Sequence, residues 1–347
     1  MQERPLRAGI IGCGTIARSH AAAYTRHPRT VLSALADVRL EAAEQLAAAH
    51  GLDPSHCYTD AAAMLAAEAL DIVSVCTWPG LHAAMTVMAA EAGVRAVICE
   101  KPLATDLAQV DQMLSACDAA GTRLIVSHQH RFNPYCTEAR RLLAAGAIGA
   151  PLQLYLQTGR GLLNNGSHYA DMARYLLGDP PWEWVLAQVQ READRYERGE
   201  RIEDLSAAIV GFPGGVRVVL ETDLPDVQSG AWQVVGAEGI LRVSTRSLRY
   251  LNSSQAGGWT DVSLPAGPAS HVAQVEELIG LLERGSAHRG DAHGHRHTFE
   301  LLMGIYESAR RRALVRPPLP SGPSPLQEMI DDGTLPVRVP GRIDLAI

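Results

Sequence analysis

The chain has 347 residues, 47% of them hydrophobic, and a net charge of -7. That length and apolar share suffice for two cores, and mild acidity without a basic stripe excludes a nucleic-acid partner or an anionic membrane surface as the default. No run approaches the roughly 20 apolar residues of a membrane span, so a cytoplasmic protein with a small-molecule partner is expected.

Along the first part of the chain, apolar strand-like runs alternate with Ala-rich helical ones. "AGIIG" precedes a helix over 16–26, "VLSALAD" one over 40–50, "DIVSVC" one over 81–92, and "RAVICE" one over 107–120, before "TRLIVS". Strands alternating with helices of ten or more residues imply βαβ units and a parallel sheet covered on both faces, a doubly wound α/β domain over residues 1–127. Six cysteines without a C-x-x-C pair, Cys76 and Cys99 inside apolar runs, are read as reduced thiols.

From residue 128 the texture changes. Helices are expected over 134–145 and 169–177, then β-like segments separated by Gly-rich turns such as "FPGGVR" and "GAEGILRV". A mostly antiparallel open sheet follows from such hairpins, giving an α+β domain over 128–320 with helices over 271–284 and 298–313. The Pro-rich "VRPPLPSGPSP" ends regular structure, leaving 321–347 as a tail.

"GIIGCGTIARSH" places Gly12, Gly14 and Ala17 in a G-x-G-x-x-G/A pattern directly after a strand and opening a helix. Gly12 serves the tight turn, Gly14 admits a pyrophosphate beside Thr15 and Ile16, and the helix start supplies free N–H groups. Asp37, about 20 residues on at the end of the second strand, suits both ribose hydroxyls and repels a 2′-phosphate, so NAD is favoured. Arg39 keeps NADP open.

In "VICEKPLA", Glu100 and Lys101 stand at the C-terminal end of a buried strand, the edge where open α/β sheets bind ligands. Taken with "GCGTIA", "CTWPGLHA", "HQHRFNP" and "GSHYADMARYLLGD", in that order, the chain over about 6–315 resembles the Gfo/Idh/MocA family of nicotinamide-dependent oxidoreductases. The resemblance implies a Rossmann domain, a C-terminal domain whose open sheet makes dimer or tetramer contacts, and a sugar, sugar nucleotide or cyclitol substrate. It also implies that Lys101 contacts the reacting oxygen and that His168 is the acid/base. A histidine titrates near neutrality and a lysine cation favours a developing alkoxide, so the chemistry fits oxidation of a secondary alcohol.

Where that family often has aspartate, four residues before the histidine, this chain has Asn164, which can orient a hydroxyl but cannot exchange a proton. Asn165 beside it is a second candidate for binding substrate. Asp171 has two readings, support for the imidazole or a helix-start acid. By the same resemblance Thr77, Trp78, Pro79 and His82 belong to the nicotinamide end, together with Glu100. Arg131 and Asn133 are candidates for touching substrate, the arginine against an ion-pair alternative. The run with His288, His293, His295 and His297 is read as a solvated loop, with no metal expected. The rival readings are an NADPH-using ketosugar reductase and a non-catalytic NAD(H) sensor.

Overall fold

The computed structural model describes residues 4–223, 231–253, 257–265 and 267–345. It divides into two compact units, the first made of Met1–Ala104, Gln109–Gln129 and Pro268–His293. Its strands are β1 (Leu6–Ile11), β2 (Thr30–Ala36), β3 (Cys57–Tyr58), β4 (Ile72–Val75), β5 (Ala96–Glu100) and β6 (Arg123–Ser127). The helices between them are α1 (Ala17–Arg26), α2 (Leu40–His50), α3 (Ala61–Ala67), α4 (Pro79–Glu91) and α5 (Leu107–Ala120). The strands pair in parallel in the order β3-β2-β1-β4-β5-β6. Every residue of β4 and β5 is buried, as a parallel sheet covered on both faces requires. Ala17 and Ala21, both fully buried, bring α1 close to the sheet, where Ile10, Leu35 and Ile98 join the core.

The second unit is Thr105–Ala108, His130–Gly267 and Gly294–Ile347. It contains α6 (Pro134–Ala144), β7 (Pro151–Thr158), a π-helical turn over Gly161–Gly166, α7 (Ser167–Leu176), β8 (Trp184–Gln190), β9 (Ala193–Glu197), β10 (Glu200–Arg201), β11 (Leu205–Phe212) and β12 (Val216–Thr222). After these come β13 (Ala231–Gly236), β14 (Gly239–Ser244), β15 (Leu248–Asn252) and β16 (Thr260–Asp261). Eight strands form one sheet, β16-β15-β14-β13-β7-β12-β11-β8, in which only the β7–β12 pair is parallel. Leu154, Leu156, Val218, Leu220 and Val234 are buried on one face, against which α6 and α7 pack, while Tyr155, Ile209 and Leu186 point outward and are exposed. This alternation is the mark of an antiparallel sheet with one covered face.

The division differs from the sequence expectation in that Thr105–Ala108 falls in the second unit, and at two larger segments. Helix α8 (Ser270–Arg284) returns to the first unit, because its Val275, Leu278 and Ile279 stripe finds cover in the core beside α1. Residues 321–345 are not a bare tail: they hold α10 (Pro325–Asp331), which buries Leu326 and Met329, and β17 (Val339–Asp344), which pairs in parallel with β9. The histidine run is no solvated loop either. Helix α9 (Ala292–Arg311) takes in three of its histidines, His288 is buried with Nε2 3.1 Å from the Gln274 carbonyl, and His295 is buried 3.2 Å from Asp171. No described helix is long and apolar enough to cross a membrane.

Candidate active site

The glycine loop closes the turn from β1 to α1 for two separate reasons. Gly12 has φ +89, and a Cβ there would lie 2.8 Å from the Cys76 carbonyl, so no other residue fits. Gly14 faces the opposite condition, since a Cβ would meet nothing within 4 Å, which leaves the backbone approachable. Thr15 is exposed beside it, and Ile16 precedes an α1 that has no side-chain cap and no acid in its first turn. Uncapped N–H groups favour an anion there.

Asp37 stands just past β2. One carboxylate oxygen accepts from Cys13 N at 2.7 Å and the other from Arg39 N at 2.9 Å, so the acid is fixed against the glycine loop with its side chain 12% exposed. Arg39 itself is exposed, its Nε 4.0 Å away. An approachable loop, an uncapped helix start and a fixed carboxylate at the second strand fit a dinucleotide. Asp37→Asn should shift preference from NADH toward NADPH by about tenfold, roughly 1.4 kcal/mol. Fluorescence titration with both cofactors checks this; an unchanged ratio would separate Asp37 from the ribose.

Beyond β4, Trp78 is 53% exposed and Pro79 opens α4 at the position where a missing N–H costs nothing. The Thr77 hydroxyl is buried without a hydrogen-bond partner among the described residues. His82 is buried, with Nδ1 2.8 Å from the Pro102 carbonyl and Nε2 3.1 Å from that of Thr77. Burial lowers its pKa, and a neutral imidazole has one N–H for the two carbonyls. The histidine therefore braces the turn after Lys101 from within.

Glu100 is buried at the end of β5 and collects donors that sequence reading did not single out. His20 Nε2 lies 2.9 Å from Oε1, and the Lys101 amide donates to Oε2 at 3.2 Å. Behind the imidazole, His20 Nδ1 is 2.9 Å from Ser74 Oγ, which is 2.7 Å from the Tyr24 hydroxyl. Burial by itself would raise the acid, but the His20 hydrogen bond, the charges of His20 and His271, and a Ser127 bond bring it down to about 2. Lys101, half-buried, thus follows an ionised carboxylate that holds its backbone.

In the second unit, the turn bearing Asn164 is held open at its start by acids. Gly161 N donates to Asp223 and Leu162 N to Glu203, each at 2.6 Å, while the Tyr306 hydroxyl donates to the other Glu203 oxygen at 2.8 Å. Burial pushes both acids up. Asn164 is buried and its amide donates to Glu197; Asn165 next to it is half-buried. His168, the second residue of α7, is 7% exposed, with its ring 4.5 Å from that of His130, which in turn meets Trp232 at 5.4 Å.

Asn164, Asn165 and His168 therefore share one short segment with His130 against it, whereas Arg131 and Asn133 have other work. The Arg131 guanidinium is buried, bonded to both oxygens of Asp171 at 2.7–3.0 Å and 2.7 Å from Asp179. Its ion-pair reading is the one the packing matches. Asn133 caps α6, accepting from Tyr135 N and Cys136 N and donating to the Thr245 carbonyl. Asp171, fifth in α7 and fully enclosed, is no solvated helix-start acid, for Arg131 and His295 both engage it.

The family model described as "Oxidoreductase family, NAD-binding Rossmann fold" matches residues 6–128, and that of the GFO/IDH/MocA C-terminal domain matches residues 155–242. The chain is 32% identical to inositol 2-dehydrogenase of Rhizobium meliloti, over 81% of this chain and 90% of that one. The chain belongs to the Gfo/Idh/MocA family. Among its other relatives, D-apiose dehydrogenase of Paraburkholderia graminis is 29% identical over 88% of each chain. The fold of levoglucosan dehydrogenase, solved with NADH and levoglucosan, superposes with a TM-score of 0.81 at 20% identity, covering 91% of this chain and 100% of that one. As a Gfo/Idh/MocA member the protein is an NAD-binding oxidoreductase.

Proposed function

We propose that the protein is an NAD(H)-dependent dehydrogenase of a secondary hydroxyl on a sugar or cyclitol. The observation that carries this is the likeness, over most of both chains, to dehydrogenases named for inositol, a cyclitol, and for apiose, a sugar. Bound NAD supplies a hydride acceptor. Gly12, Gly14, Thr15, Ile16 and Asp37 would hold it, and Thr77, Trp78 and Pro79 would contact it as well.

Lys101 carries the charge that favours the alkoxide, and His168 removes the hydroxyl proton and returns it in the reverse direction. Asn164, with Asn165 beside it, orients the substrate through hydroxyl hydrogen bonds. The test is a panel of inositols, pentoses and glycosides with NAD, read by NADH absorbance. Tight NADH binding with no turnover across the panel would replace this reading with that of a sensor.

The protein is further proposed to assemble as a homodimer or homotetramer through its outward sheet face. Tyr155, Val219, Ile209 and Leu186 stand opposite one another in register on β7, β12, β11 and β8, an apolar row across four strands. Ile209→Glu should convert the oligomer to monomer by placing a charge in that row. Light scattering after size exclusion measures it, and an unaltered mass would move the interface elsewhere.

A further inference from the structure

We infer that Glu197 is the residue that decides which end of the Asn164 amide meets substrate, and thereby the hydroxyl that the site selects. This rests on the reading that Asn164 holds substrate. An asparagine amide can be seated either way round with little change in shape, so by itself it does not choose between giving and accepting a hydrogen bond. An acid oxygen that already accepts from the amide nitrogen removes the choice. Asn164 Nδ2 donates to Glu197 Oε1, and the two residues are 9% and 8% exposed. Reversing the amide would set carbonyl oxygen against carboxylate oxygen in a buried place, where water cannot soften the contact.

Both backbones of the pair are clamped. Asp223 and Glu203 tie down the first two residues of the Asn164 turn through their amides. On the other side, β9 is flanked by β10 and β17. Leu345 N donates to the Tyr196 carbonyl at 2.9 Å, and the Arg342 guanidinium lies 4.1 Å from the Tyr196 ring centre. The C-terminal strand therefore grips the residue next to Glu197. With its nitrogen side turned to Glu197, residue 164 offers its carbonyl oxygen as the acceptor of fixed direction, and a substrate with a hydroxyl donor there is preferred to its deoxy analogue.

Three full-length variants test this: E197Q, N164D and N164D/E197Q, assayed with the best polyol of the panel and its deoxy analogues. E197Q supplies both a donor and an acceptor, so the amide is no longer locked. KM should rise about tenfold with kcat changed less than about threefold, and discrimination against one deoxy analogue should fall. N164D sets two carboxylates together and should lose about a hundredfold in kcat/KM. In the double variant the introduced glutamine donates to the introduced aspartate, restoring a fixed acceptor at position 164 and recovering most of that loss.

E197Q with unaltered KM and discrimination, or a double variant no better than N164D, would overturn the inference. If the wild-type protein turns over no polyol, the functional reading has failed. The pair is then decided by melting temperatures of the same set: recovery in the double variant supports the lock, and additive losses overturn it.

Discussion

An enzyme with His168 replaced by alanine is expected to bind NADH as before and to lose turnover by about 10²–10⁴-fold, the usual contribution of a placed general base. The imidazole stands at the start of α7 packed on His130, and the amide four residues earlier cannot take its place as a proton acceptor. Lys101→Met should leave the proton acceptor and remove the cation, costing about 10²–10³-fold, in the range of a lost alkoxide donor. A stopped-flow measurement of hydride transfer with saturating cofactor distinguishes these losses from slower product release. Near wild-type rates in H168A would move the proton chemistry to another residue.

Much of the first unit was legible because its strands are unbroken apolar runs and its glycines have single physical reasons. A buried parallel strand such as Ala96–Glu100 needs no distant partner to be recognised, and Gly12 stands at the tight turn after β1, where the Cys76 carbonyl past β4 leaves no room for a Cβ. The Asn164 turn is different. "GLLNNG" reads as an elaborate helix cap, but its π geometry depends on Asp223 and Glu203, acids 62 and 41 residues away from the amides they accept. Glu197 was invisible in "READRYERGE", where charge hides a half-buried strand whose neighbour β17 is exposed along its whole length. Arg131 and Asp171 show the same limit. Their types were consistent with ligand contact or ion pairing, and only the packing of the turn that holds Arg131 against α7 decides that they meet. For α8 the stripe is plain in sequence, while the core that receives it is a matter of chain return.

Glu100→Gln should destabilise the dinucleotide-binding unit by about 3 kcal/mol at neutral pH, since removing one member of a buried pair leaves its partners unmatched. The carboxylate is lowered to about 2 from its usual 4.5, which is worth about 3 kcal/mol by linkage. A lowered acid contributes stability that is present in full above the unfolded value and is lost as pH falls through 4.5 toward 2. The gap between wild type and E100Q should therefore be widest above about pH 5 and narrow steadily below about 4.5. Melting of the variant should come roughly 6–12 °C earlier at neutral pH, measured by calorimetry across a pH series. A gap that stays constant from neutral pH to about 3 would mean that Glu100 acts through shape alone. The same carboxylate holds the Lys101 amide, so E100Q should also raise the variability of the lysine's position and lower kcat, whereas cofactor binding at the glycine loop should be retained. Loss of stability without loss of kcat would confine Glu100 to the core and leave Lys101 positioned by the turn that His82 braces.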